Sequence, residues 1–159
     1  TPKKYFRKPS KNKQKIFQSS AEVRGVMQNI QFLSVSDILI IHEDQIRNYG
    51  GIYGTRDISL VSSAQFIPEA SFGGEYVCKS IEEMAAAYAY HLCQNHPFLD
   101  GNKRTALAVS LVFLDLNGYE LDISNDDIYK IMMRVAESKL SKQELTALFS
   151  KYCKKIISP

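Results

Sequence analysis

Apolar residues recur at helical spacing along most of the chain. From Asp37 to Tyr49 they fall at Ile38, Leu39, Ile41, Ile46 and Tyr49, with Ser34 or Ser36 placed as a cap and Gly50-Gly51 as a stop. Asp57 caps a second, short helix, expected to reach about Phe66 and to end before Pro68, because a residue preceding proline disfavours helix. Residues 68–79 break the helical pattern. Within them Phe72-Gly73-Gly74-Glu75-Tyr76-Val77 places a Gly-Gly turn between an aromatic and a β-prone pair, which predicts a small hairpin over 70–77. Ser80 and Glu83 form a capping box for a helix from Ile81 to about Gln94. The run Ala106 to Val109 and Leu111 to Leu114 is apolar on nearly every face, which predicts a buried central helix closed by Asn117-Gly118. Tyr119-Glu120-Leu121 reads as a short extended piece. Ser124 or Asn125 starts a helix to about Ser138, and Ser141 with Glu144 starts a last one to about Ile156. Ile16 to Leu33 carries no assignment. The pattern has no internal repeat and describes one all-α bundle around a buried central helix, with one β-hairpin.

Composition supports a single domain. The chain has 159 residues, of which 45% are hydrophobic, enough for a proper core. No segment approaches the ~18 unbroken apolar residues of a membrane span, so no membrane partner is expected. No apolar secretory region stands at the N-terminus. Cys78, Cys93 and Cys153 are odd in number and lack CxxC spacing, which argues against a disulfide framework or zinc site and makes a reducing cytoplasm the expected location. The net charge of +3 is unevenly spread. Seven of the 20 Lys and Arg lie in residues 1–15, which hold no acid, so the other 13 face all 17 acids and the remainder is net −4. Residues 1–33 therefore read as a basic, partly disordered extension and 34–159 as the folded domain. Nucleic acid is an unexpected partner for that domain, and only the basic tail would offer it a surface.

The chemistry concentrates in His96-Pro97-Phe98-Leu99-Asp100-Gly101-Asn102-Lys103-Arg104-Thr105, immediately before the apolar run. Lys103 and Arg104 fall where a helix dipole is positive, an unfavourable placement worth roughly 0.3–1 kcal/mol each unless an anion binds there. His96 is suited to act as general base near neutral pH, and Pro97 is expected to hold it in an extended approach. Asp100 is a hard oxygen ligand of the kind magnesium uses. Gly101 permits close approach of a ligand. The amides of Gly101, Asn102 and Lys103 are expected to be unpaired, and Arg104 can fork onto phosphate oxygens. Together these groups suit phosphate transfer. His42 and His91 read as structural, and the spacing of His91 and His96 is not that of a zinc protease.

The ten-residue stretch closely resembles the Fic/Doc (Fido) family pattern His-x-Phe-x-Asp/Glu-Gly-Asn-Gly/Lys-Arg, and within that family it is similar to the Doc, or death-on-curing, branch. Ile41-His42-Glu43-Asp44-Gln45, Gly50-Gly51, Gly54-Thr55-Arg56-Asp57, Phe72-Gly73-Gly74-Glu75 and Phe113-Leu114-Asp115-Leu116-Asn117-Gly118-Tyr119 also look like Doc-type landmarks. The resemblance spans roughly residues 33–122. It implies that His96 deprotonates a target hydroxyl, that Phe98 anchors the loop, and that Asp100 holds Mg²⁺. It also implies that Gly101, Asn102, Lys103 and Arg104 bind the phosphates of ATP, and that Phe72, Gly73, Gly74 and Glu75 form a flap that docks the target segment by strand addition.

Two positions depart from the adenylylating pattern. Lys103 stands where those members have Gly, and Leu107 stands where they have a second Arg. The resemblance to Doc-like members implies transfer of the terminal phosphate of ATP to a target protein, a translation elongation factor. Transfer of AMP on the same fold, and a non-catalytic phosphate-ligand binding module, remain the alternatives. Many relatives inhibit themselves through Ser/Thr-x-x-x-Glu-Gly/Asn. None of the nine glutamates here precedes Gly or Asn, so control is expected in trans from an antitoxin protein.

Overall fold

The computed structural model describes residues 30–157. Its described elements, in order, are α1 (Val35–Tyr49), α2 (Ile58–Glu69), β1 (Ser71–Phe72), β2 (Glu75–Tyr76), α3 (Ile81–Asn95), α4 (Asn102–Leu116), β3 (Tyr119–Leu121), α5 (Asn125–Ala136), α6 (Lys142–Tyr152) and β4 (Cys153–Lys155). The fold is all-α, with the expected small antiparallel hairpin. The expected tail over residues 1–15 and the unassigned segment up to Asn29 lie outside the described residues. Phe32 and Leu33, the last residues of the segment read as an extension, are buried in the core.

Helices α3 and α4 form the centre. Ala85, Ala86, Ala87 and Ala89 on α3 and Ala106, Ala108 and Val109 on α4 are fully buried, and their small side chains let the helices pack closely. Phe113 fills the space above them, with its ring 5.2 Å from Tyr88 and 5.9 Å from Phe32. The Tyr88 hydroxyl accepts from the Leu33 N–H at 3.1 Å, so this buried phenol has a partner. Asn117 pairs both its amide atoms with the Gln31 backbone, at 2.9 and 3.0 Å, and ties the entering chain to the end of α4.

The helix caps follow the sequence. Ser34, Asp57, Ser80, Ser124 and Ser141 each accept from a backbone N–H of the following first turn. Three boundaries differ from expectation. Helix α2 runs through Pro68 to Glu69, because a proline in the last turn sacrifices a single helical hydrogen bond. The final helix ends at Tyr152 rather than near Ile156. Cys153–Lys155 instead pair with Tyr119–Leu121, supplying partners to an extended piece that would otherwise leave its backbone open. His96 is not extended, as described below. In the hairpin Gly73 and Gly74 both have positive φ, 61° and 82°, the backbone of a two-residue primed turn that only Gly, Asn or Asp adopts readily.

No helix among the described residues is long and apolar enough to cross a membrane. His91 on α3 is half-buried with its Nε2 unpartnered, and burial, aided by the charge of Lys142, pushes its pKa down to about 4. The unfolded chain binds a proton there at up to about pH 6.5, so stability present above 6.5 is lost as pH falls toward 4. Thermal melts across that window should show a falling midpoint, and His91→Leu should flatten the slope. An unchanged slope in His91→Leu would show that the residue does not set the acid limit.

Candidate active site

The loop between α3 and α4 is built by pairing with a second loop, residues 50–57. The Pro97 carbonyl accepts from the N–H groups of Arg56 at 2.8 Å and Asp57 at 3.2 Å, and the Leu99 N–H donates to the Gly54 carbonyl at 3.0 Å. Gly54 takes φ 151°, a backbone conformation that side chains rarely adopt, so the position favours glycine. Arg56 then closes the end of α3. Its Nε donates to the His96 carbonyl at 2.8 Å and its Nη2 to the Asn95 carbonyl at 2.9 Å. His96 follows α3 in the left-handed conformation, φ 47° and ψ 55°. Sequence reasoning placed it in an extended approach. The Arg56 clamp on two consecutive carbonyls instead holds a left-handed helix end, leaving the imidazole exposed. Arg56→Lys keeps the charge but cannot bridge both carbonyls. It should lower turnover about tenfold through misplacement of His96, with little change in the melting midpoint.

Phe98 turns inward and is 2% exposed. Its ring lies parallel to His42 of α1, 3.8 Å between centroids and 6° between planes. The His42 Nε2–H donates to the Asp100 carbonyl at 2.9 Å. That bond fixes the tautomer, and burial holds the His42 pKa below its usual value, so the ring is neutral at pH 7. His42 is thus structural, as its sequence reading had it, and its structural task is to support the loop. Its place in the stretch Ile41–Gln45, which matched the family, was the available signal.

Asn102 opens α4, but its side chain does not face a ligand. Its Oδ1 accepts from the Phe98 N–H at 2.9 Å and its Nδ2 donates to the Phe98 carbonyl at 3.0 Å. Its amide is spent on the loop, and only its backbone N–H remains for an anion. The Gly101 N–H, expected to be unpaired, donates to Asp100 Oδ1 at 2.8 Å. Gly101 takes φ 74°, and a Cβ there would stand 3.1 Å from an Ile46 methyl.

Asp100 is ionised. The Ile52 N–H, at 3.2 Å from Oδ2, and then the Gly101 N–H hold its carboxyl below the usual range, with Arg104 and His42 adding in the same direction. No group of three His, Cys, Asp or Glu residues that could hold a metal exists among the described residues. A divalent ion here would rest on Asp100, substrate oxygens and water, a donor set that fits magnesium and not zinc.

The first turn of α4 contains no acid. Lys103 has no ion-pair partner among the described residues. Arg104 uses one donor on the Gly50 carbonyl at 2.9 Å and lies 5.7 Å from the Tyr49 ring centroid. His96 and Asp100 to Arg104 line one open cavity of about 220 Å³. The structure therefore brings together the expected base, carboxylate and cations. The hairpin residues Phe72 to Glu75 are all exposed, Phe72 at 88%, and do not line that cavity.

A helical domain with an imidazole facing two cations at the head of its buried helix is the Fic class of architecture. The Fic/DOC family model matches residues 32–114, and the chain belongs to that family. It is 37% identical over 90 residues to the toxin Doc of Mycolicibacterium smegmatis (strain ATCC 700084 / mc(2)155), covering 55% of this chain and 69% of the relative. It is 29% identical over 92 residues to the protein kinase doc of Escherichia phage P1, covering 58% of this chain and 72% of the relative. Both relatives are Doc proteins, which supports the Doc branch of the family.

Proposed function

We propose that the chain is a Doc-like toxin that transfers the terminal phosphate of ATP to a hydroxyl side chain of a target protein. One observation carries this reading. His96 lines the same cavity as Lys103, Arg104 and the open end of α4, so a proton acceptor and a phosphate cradle face one volume. The target oxygen attacks the terminal phosphorus and its proton passes to the His96 imidazole. The bond to the bridging oxygen breaks, and ADP leaves with that electron pair. Lys103, Arg104 and the backbone amides of Asn102 and Lys103 face the charge that develops on the phosphoryl oxygens. Asp100 would hold magnesium, which when bound neutralises charge on the phosphates.

Leu107, one turn along α4, is 5% exposed and apolar, so the second cation that an adenylyl-transferring member would use is missing. That favours phosphate over AMP as the transferred group. The exposed Gly-Gly hairpin supplies a short open strand edge on which an extended target segment can add. The absence of a Glu-Gly or Glu-Asn pair supports restraint by an antitoxin in trans.

The test is incubation with cell extract and ATP labelled at the terminal or the α-phosphate. Terminal label alone on a protein band is expected. Label from the α position would establish the adenylyltransferase reading instead. Expression of the isolated chain should arrest growth, and a harmless chain with ATP and target both intact would overturn the toxin reading.

A further inference from the structure

The turn that ends α1 meets the head of α4, and Arg104 is a side chain that joins them. Its Nη2 donates to the Gly50 carbonyl at 2.9 Å, and its guanidinium carbon lies over the Tyr49 ring, 5.7 Å from the centroid. Gly50 follows Tyr49, the last residue of α1, and its own N–H donates back to the Ile46 carbonyl at 2.8 Å, so the accepting carbonyl belongs to a fixed helix end. That end carries the negative pole of the α1 dipole, which attracts a cation and offsets part of the penalty that Arg104 meets at the positive head of α4. Two residues further on, the Ile52 N–H donates to Asp100 Oδ2 at 3.2 Å. One turn thus offers a carbonyl to a cation of the site and an N–H to its carboxylate. Arg104 borders two openings, the cavity that His96 and Asp100 line and a second, apolar one of about 250 Å³ walled by Leu107 of α4 and by Ile128 and Met132 of α5. A long side chain placed between two openings needs a restraint on its plane to present its donors to one of them.

We propose that Tyr49 is a positioning residue that sets the plane of the Arg104 guanidinium, an inference that rests on the phosphotransfer reading above. A guanidinium is flat and carries its N–H donors in a rigid fork, so it grips phosphate oxygens in pairs only when its plane is set. The hydrogen bond to Gly50 fixes one corner of the fork and leaves rotation about the N–H···O direction. An aromatic ring against the group removes that rotation, by contact and by the attraction of the ring face for the charge. Tyr49 is half-buried at the end of α1, so the ring is itself held by the fold. The other donors of Arg104 are then presented in advance, and an arriving anion is spared the entropy cost of ordering a loose side chain. Tyr49 lines neither cavity and acts through Arg104 alone.

The test is a double-mutant cycle read by calorimetry with inorganic triphosphate on the full chain. Tyr49→Leu and Tyr49→Phe are each made alone and together with Arg104→Gln, and thermal melts establish that each variant folds. Tyr49→Leu should bind triphosphate about threefold to fivefold more weakly, the loss expected of a cation–ring contact. Tyr49→Phe keeps the ring and should stay within about twofold of the unaltered chain. With Arg104→Gln in place, Tyr49→Leu should weaken binding no further, because the interaction it removes is already gone. A merely structural role for Tyr49 would produce neither that dependence on Arg104 nor the rescue by phenylalanine. Tyr49→Met takes the place of Tyr49→Leu if the latter fails to fold. Full affinity in the folded leucine or methionine variant would overturn the proposal, as would an equal loss with and without Arg104, or a loss in Tyr49→Phe as large as in Tyr49→Leu. Those outcomes leave the phosphotransfer reading standing. An unaltered chain that does not bind triphosphate, or an Arg104→Gln variant that binds it as tightly as the unaltered chain, would overturn that reading and this proposal together.

Discussion

His96→Ala should lower the proposed transfer of phosphate by about 10²- to 10⁴-fold, the usual loss when a positioned general base is removed. That corresponds to roughly 3–5 kcal/mol of barrier. The side chain is exposed, so the loss should come without a collapse of the fold. The backbone complicates a single substitution, because His96 sits at φ 47°, where alanine is mildly strained. Asparagine adopts that conformation more readily and carries no base of comparable strength. The paired variants therefore separate the effects. His96→Asn should melt with the unaltered protein and still lose the full factor in turnover, whereas binding of ATP stays within about threefold in both. A His96→Asn protein that retained activity would remove the imidazole from the mechanism and leave the cavity as a binding site.

Residues close together in sequence were readable, and residues that meet across long separations were not. Lys103 and Arg104 declared themselves because two cations without an acid in the first turn of a buried helix oppose the dipole. Asp100 and His96 were found in the same short window. Arg56 was seen only as part of a family landmark, since the carbonyls it holds are 39 and 40 positions away. His42 was read as structural, and it is buried. Its hydrogen bond to Asp100 spans 58 positions and leaves no local trace. The strand Cys153–Lys155 was missed for the same reason, its partner lying more than thirty positions earlier. Asn102 shows the converse limit. Its backbone amide was expected at the anion end of α4, but nothing in the residue type told that its side-chain donor and acceptor would both close the Phe98 backbone. Leu107 was read only as a missing cation, and the apolar cavity beside it was not foreseen, because Asn125, Ile128, Tyr129 and Met132 of α5 join its wall from later in the chain.

Phe98→Ala should cost about 3–5 kcal/mol of stability, the range for removing a buried aromatic ring. It should also lower turnover by more than that loss of folded protein explains. The ring is 2% exposed and stacks face to face on His42, so its removal leaves a void directly beneath the loop. Burial is the main cause of the depressed His42 pKa, and a void that admits water should let that pKa rise toward 6.5. Proton titration of the His42 ring by NMR would read this directly. Phe98→Leu retains much of the volume and should cost far less, with the His42 titration only slightly moved. A Phe98→Ala protein that melted with the unaltered chain would mean that the loop is held by Asn102 and the 54–57 backbone alone. The pairing argues otherwise. Asn102 fixes where the Phe98 backbone stands, but the ring presses on the imidazole that holds the Asp100 carbonyl. Removing the ring therefore loosens the start of α4, where the phosphates would bind, and fold stability and transfer rate fall from one cause.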